Sequence, residues 1–244
     1  MDECVIIHPQ TIFDLFNYTG LVRYLHSLHN KTTFICLQKF KGFFEMHYKD
    51  LNEFHIMYVN DDKINNYFTI VMKHFKKCPN QYFFGPTDKL RINNKYTNHY
   101  NNKIKQGTFD PYDLYEYDSN IKLDYFHLNR NKHIEMKLLK SIMMMANTVY
   151  TVLTSNKNVD PKYLRINTMN ITLDQMFKLD NICDSLSIIE YANHIFLTHD
   201  SDFTPFILMI DLKHEILKDK RVFIFCDETY DDSLIPSYWK KLNY

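Results

Sequence analysis

The sequence predicts an α/β protein built on a Rossmann-like parallel sheet flanked by helices. Three observations carry that prediction. Short, continuously apolar runs alternate with segments whose apolar residues recur every three or four positions, the pattern of strands buried on both faces and joined by amphipathic helices. The 244 residues are 45% apolar and 16% aromatic, enough for a large core. Only 4 glycines and 7 prolines interrupt them, which excludes collagen-like and wholly disordered chains.

In chain order, residues 11 to 29 space Ile12, Leu15, Phe16, Leu21, Leu25 and Leu28 as a helix interrupted by Gly20. His26 and His29 form an HxxH pair, read as surface residues because no third metal ligand accompanies them. Phe54 to Val59 is the first strand, stopped by Asn60-Asp61-Asp62 and followed by a helix over Lys63 to Lys77. From Cys78 to about Arg130 the periodicity dissolves and turn signals appear, so 78–130 reads as an insertion. Lys132 to Asn147 is again a helix. After it come strands at 149–153, 163–166, 194–197 and 222–225, with helices at 173–191, 205–217 and 232–242. Residues 1–50 are then an N-terminal helical extension and 51–244 the domain. The segments beginning at Val149, His194 and Val222 are expected as adjacent inner strands.

Charge and cysteine content narrow the function classes. The chain carries 29 basic and 29 acidic side chains, so no whole-molecule attraction draws it to nucleic acid or to a membrane, and a basic site must be local. Five scattered cysteines without a CxxC pair indicate neither a disulfide framework nor a thiolate zinc site, and a reducing intracellular compartment is expected. No apolar run approaches the ~18 residues of a membrane span, and no signal peptide opens the chain. Usage is skewed toward Asn, Lys, Ile, Tyr and Phe with alanine only at 146 and 192, as AT-rich coding in a virus, protist or symbiont would produce.

In a parallel sheet the functional crevice lies outside the carboxyl ends of the strands. Acids follow three of the expected strands: Asp61-Asp62, then Asp200-Ser201-Asp202, then Asp227-Glu228. One acid there is an ordinary helix cap, and Asp202 ahead of Phe203-Thr204-Pro205 fits that role. Several converging acids repel and call for a hard divalent cation, Mg²⁺ or Mn²⁺, which could activate water against a phosphodiester. Within the insertion, Lys95, Lys103 and Lys105 interleave with Tyr96 and Tyr100, a combination that suits single-stranded RNA. The same stretch also reads as a solvated hairpin facing the acids that follow it.

The run His194 to Ile207 resembles the strand and turn of the NYN domain family, PIN-like nucleases with a Gly-Asp-Ser-Asp-Phe-x-Pro motif, with His199 in the place of the glycine. Asp174 and Asp180 match that family's helix with two aspartates six apart, and Asp62-Lys-Ile-Asn65 matches its first strand end. Lys220 to Phe225 and Ser233 to Leu242 resemble its closing strand and last helix. The resemblance implies a metal-dependent endonuclease acting on RNA, with Asp62, Asp180 and Asp200 holding Mg²⁺ or Mn²⁺, Asp202 completing the catalytic cluster and Asn65 orienting the first acid. Asp184, one turn beyond Asp180, is a substitute ligand or a solvent-facing acid. Placing the first strand at Cys4 to Ile7 instead would put His8 in the acid's position.

Two other readings stand beside it. An inactive NYN-like module would bind RNA or a protein partner without cutting. The Asp200-Ser-Asp202 turn also resembles motifs of haloacid-dehalogenase-type phosphatases and nucleotide-sugar glycosyltransferases. Those are set aside because only 42 residues follow Asp202 (244 minus 202), too few for the half-domain expected downstream.

Overall fold

The structure is a computed structural model that describes residues 2–7, 12–60, 73, 75, 77–84, 110–146, 150–155, 159, 169–226 and 235–243. The chain divides into two units, residues 1–127 and 128–244. The first holds β1 (Glu3–Ile7), α1 (Ile12–Ser27), β2 (Lys31–Leu37), a 3₁₀ turn (Gln38–Phe40), α2 (Lys41–Tyr48), β3 (Phe54–Val59), β4 (Asn80–Phe83), α3 (Pro111–Leu114) and α4 (Ile121–Asp124). The second holds α5 (Lys132–Ala146), β5 (Tyr150–Leu153), β6 (Met169–Thr172), α6 (Leu173–Met176), a 3₁₀ segment (Leu179–Ser185), α7 (Leu186–Tyr191), β7 (His194–Thr198), α8 (Phe203–His214), β8 (Arg221–Cys226) and β9 (Lys240–Asn243).

Each unit is built on its own parallel sheet, so the predicted α/β class holds and its single sheet becomes two. The first sheet runs β3-β2-β1-β4 and the second β6-β5-β7-β8-β9. The strands expected near 149, 194 and 222 are the adjacent inner strands β5, β7 and β8. Residues 1–50, expected as a helical extension, instead supply β1 and β2 at the centre of the first sheet. Phe54–Val59, expected as the first strand, is the edge strand β3. Cys78 and its neighbours, expected to open an insertion, lead into β4, which pairs with β1.

Two expected helices are corrected as well. The helix over 173–191 is broken: Phe177 is extended, and Asn181 leaves helical geometry at φ −128° with its side chain accepting from the Lys178 N–H at 2.7 Å. The closing helix over 232–242 is replaced from Lys240 by β9 beside β8. The reason lies in Asp211 on α8. Its buried carboxylate accepts from Tyr238 Oη at 2.8 Å, Trp239 Nε1 at 2.7 Å and the Leu217 N–H at 2.7 Å, which fixes the chain just ahead of β9. The strand expected at 163–166 and most of the helix at 63–77 lie outside the described residues.

Aromatic packing fills both units. Phe34 meets Phe44 edge to face at 4.8 Å and Phe16 meets Phe43 at 5.0 Å in the first, while Phe196 stacks on Phe223 at 5.0 Å in the second. His26, expected on the surface, is partly buried and bonds Thr32 Oγ1 at 2.9 Å. Among the described residues no helix is long and apolar enough to cross a membrane.

Gly20 does not interrupt α1; it admits a neighbour. A Cβ there would stand 2.4 Å from the Lys122 carbonyl oxygen and 2.9 Å from that of Ile121, both on α4. Gly20→Ala gains about 1 kcal/mol of helix propensity. Overpacking costs about 1–3 kcal/mol, and a backbone oxygen yields less readily than a side chain. The clash therefore wins, and a urea titration of the variant is expected to show a lower midpoint for the first unit.

In the second unit Arg130 bridges the fully buried Glu135 on α5 and Glu190 on α7, and Ser187 adds a bond to Glu135 at 2.8 Å. Burial alone would push the Glu135 carboxyl up, but the hydrogen bonds of Arg130 and Ser187 and the charges of Arg130 and Lys132 hold it below the usual range. A depressed carboxyl contributes stability that is present above its unfolded value and is lost as pH falls through its folded one. Urea midpoints measured from neutral pH downward are expected to fall through the carboxylate range. Glu135→Gln, unable to ionise, is expected to have a lower midpoint at neutral pH and a flatter slope.

Candidate functional site

Both sheets reverse direction once. In the second, the chain steps from β5 outward to β6 and then returns to the other side of β5 as β7. Parallel strands that diverge this way leave a crevice outside their carboxyl ends, at the switch point between β5 and β7. In the first sheet the corresponding point lies between β1 and β4, and the residues that follow those strands, from 8 and from 85, are outside the described residues.

The β5–β7 switch point is floored by buried threonines. Thr154, just past β5, accepts from the Thr198 N–H through Oγ1 at 2.9 Å, and the two hydroxyls approach to 3.4 Å. Thr204, in the first turn of α8, donates to the Thr198 carbonyl at 2.7 Å. All three are fully buried, so these bonds satisfy polar groups that no solvent reaches. The Asp174 N–H donates to the Thr154 carbonyl at 3.3 Å, which ties the carboxyl end of β6 to the same edge.

Above this floor stand the acids. Asp200 and Asp202 lie exposed in the turn between β7 and α8, and Asp174 lies exposed in the first turn of α6. Asp202 occupies the N-cap position of α8 without making a capping bond; the Phe203 N–H is taken by Ser201 Oγ at 3.2 Å. Burial pushes the Asp202 carboxyl up, and the charge of Asp174 adds to the rise. Asp174 and Asp202 therefore act as an electrostatic pair. A carboxylate of raised proton affinity beside a second acid suits proton abstraction from a hydroxyl group.

The other expected site residues fall elsewhere. Asp184 responds to other surroundings: burial raises its carboxyl first and the charge of Glu135 second, with no part played by Asp202. Asp180 is in the 3₁₀ segment, and its side chain lies outside the described residues, as do Asp62, Asn65, Lys95, Tyr96, Tyr100, Lys103 and Lys105 entirely. Among the described residues no group of three or more His, Cys, Asp or Glu side chains could hold a metal ion. The signal that sequence reading passed over is the Thr-Ser pair directly after the apolar run of β5, since a hydroxyl at a strand end beside the switch point builds the floor.

No protein-family model matches the chain, and no curated protein matches it. Solved structures do. The chain is similar to the crystal structure of a glycosyl transferase family 9 protein from Veillonella parvula, with a TM-score of 0.53 and 8% identity over 99% of this chain and 87% of that one. It is also similar to the E. coli heptosyltransferase WaaC with ADP-2-deoxy-2-fluoro heptose, with a TM-score of 0.42 and 8% identity over 98% of this chain and 92% of that one. The NYN resemblance is overturned, and with it both the metal-dependent endonuclease and the inactive NYN-like module. An acid-serine-acid turn with a proline in the first helical turn is what many strand-to-helix junctions need, so the matching residues reported a junction rather than a nuclease.

Thr154→Val keeps the shape of the side chain and removes the acceptor of the buried Thr198 N–H. It is expected to cost about 1–3 kcal/mol in a urea titration, while Thr154→Ser, which retains the hydroxyl, is expected to cost less. What the likeness establishes is a fold, two parallel α/β units in succession, shared with a family 9 glycosyl transferase.

Proposed function

We propose that this chain is a glycosyl transferase that moves a sugar from a nucleotide-activated donor to an acceptor hydroxyl. The observation that carries the reading is the fold likeness to the Veillonella parvula family 9 protein, which runs through both parallel units over 99% of this chain. Two features of the second unit support it. A switch-point crevice at the carboxyl edge of a parallel sheet is where such folds hold nucleotides. Beside it, burial and the charge of Asp174 raise the proton affinity of Asp202, the direction that suits a base.

In this reading the acceptor oxygen forms a bond to the anomeric carbon as the bond from that carbon to the diphosphate oxygen breaks. The acceptor's proton passes to Asp202, and the nucleoside diphosphate leaves with the bonding pair. Asp174 raises the proton affinity of Asp202 and is a positioning residue, not the base. The turn expected to cradle a catalytic ion instead presents the base.

The test is calorimetric titration of the full chain with a panel of nucleoside diphosphates, followed by transfer assays with the matching nucleotide sugars. Binding of at least one nucleotide is expected. Asp202→Asn is expected to lower transfer by about 10²-fold or more while nucleotide affinity stays within a few-fold. Failure of every nucleotide to bind would overturn the reading, and unchanged transfer in the variant would remove Asp202 as the base.

A further inference from the structure

We infer that Asp174 reads the ribose of the nucleotide donor, so that the site takes ribonucleotides in preference to their deoxy counterparts. That assignment rests on the glycosyl transferase reading and names the group by which the nucleotide is recognised. In a doubly wound sheet the phosphates lie over the turn after the first strand of the unit. An acid about twenty residues on, at the end of the neighbouring strand, takes the ribose hydroxyls. The second unit has that arrangement. β5 is its first strand and ends in Thr154-Ser155; β6 is its neighbour on the side away from β7, and Asp174 follows β6 twenty residues after Thr154 (174 minus 154).

The strand register places the acid beside that turn. Leu153 pairs with Thr172, so β5 and β6 end level, and the Asp174 N–H donates to the Thr154 carbonyl at 3.3 Å. In a nucleotide the ribose is one ester link from the first phosphate, so a ribose over the end of β6 leaves the phosphates over the end of β5. The Asp174 carboxylate is exposed and makes no hydrogen bond among the described residues, which leaves its two oxygens open to the two hydroxyls of a vicinal diol. An ionised carboxylate accepts and does not donate, and hydroxyl donors are what a ribose offers it.

A structural role for Asp174 is slight. An acid in the first turn of a helix complements the helix dipole, but α6 is one turn long and ends at an extended Phe177. The phosphates, for their part, have a poor seat. All four glycines of the chain, at 20, 42, 85 and 107, precede the second unit, so the turn after β5 lacks the close backbone approach that a glycine-rich turn gives a diphosphate. The exposed Asp200 and Asp202 after β7 repel it further. Recognition of the nucleotide then falls to the ribose, whose hydroxyls an acid attracts.

The test is calorimetric titration of the full chain with ADP, GDP, UDP and CDP and with the dideoxy counterpart of each, which lacks both ribose hydroxyls. The parent is expected to bind at least one ribonucleotide about 10- to 100-fold more tightly than its dideoxy counterpart, the worth of hydrogen bonds to a charged acceptor. In Asp174→Ala the two affinities are expected to agree within about threefold, with Asp174→Asn between that variant and the parent. The ratio is the readout because both nucleotides carry the same phosphates, so the charge lost with Asp174 cancels from it. Circular-dichroism melts of both variants are expected to match the parent, since the side chain is exposed. Equal affinity of the parent for a ribonucleotide and its dideoxy counterpart would overturn this inference and leave the glycosyl transferase reading standing, as would a ribose preference that survives in Asp174→Ala. Failure of every nucleotide to bind would overturn both.

Discussion

Parallel pairing is the constraint from which the rest of the structure follows. All seven strand pairs registered among the described residues are parallel. A parallel partner cannot be reached by a tight turn, so each strand must be followed by a crossover, and the crossovers bring every carboxyl end to one edge of the sheet. The helices of those crossovers cover the faces, which is why β1, β5 and β7 are apolar almost throughout. Polar residues that would be stranded in the interior collect at the one edge where backbone leaves the sheet. The threonines, the serine and the aspartates of the β5–β7 edge are there for that reason before any question of chemistry arises.

The same constraint decides which parts of the fold could be read from sequence. The strands β5, β7 and β8 announce themselves because both their faces are covered and their apolar runs are unbroken. β2 hides itself. It begins Lys31-Thr32-Thr33, which reads as polar, yet Thr32 is fully buried with its hydroxyl shared between Cys4 Sγ at 3.3 Å and His26 Nδ1 at 2.9 Å. A polar residue satisfied by partners far off in sequence leaves no periodic trace. The end of the chain misleads in the opposite direction: its spacing suits a helix, but the Tyr238 and Trp239 donors are held by Asp211, and a tertiary bond outranks a local pattern.

Counting domains failed for a related reason. Too few residues follow Asp202 to make another half-domain downstream, but the chain holds one upstream. It is the first unit, residues 1–127, where β1 has five residues and β3 is a half-exposed edge. Of that unit only α1 and β3 carry a clear local pattern, so a complete parallel unit reads as a helical extension followed by a first strand.

The candidate site shows how little a local motif fixes about chemistry. Asp200-Ser201-Asp202 stands at the carboxyl end of the inner strand β7, and Asp174 is tied to the same edge through its N–H. What sequence cannot supply is the division of labour. If Asp202 were there to cap α8, its carboxylate would accept from the amides of the first turn; Ser201 does so instead, through its hydroxyl to the Phe203 N–H at 3.2 Å. The Asp202 carboxyl makes no bond to α8, and burial and the like charge of Asp174 both raise its affinity for a proton. An acid that makes no capping bond serves the turn less than the serine beside it. The Asp-Ser-Asp pattern therefore marks a strand-to-helix junction, and only the tertiary surroundings of its second acid distinguish a helix cap from a carboxyl of raised proton affinity.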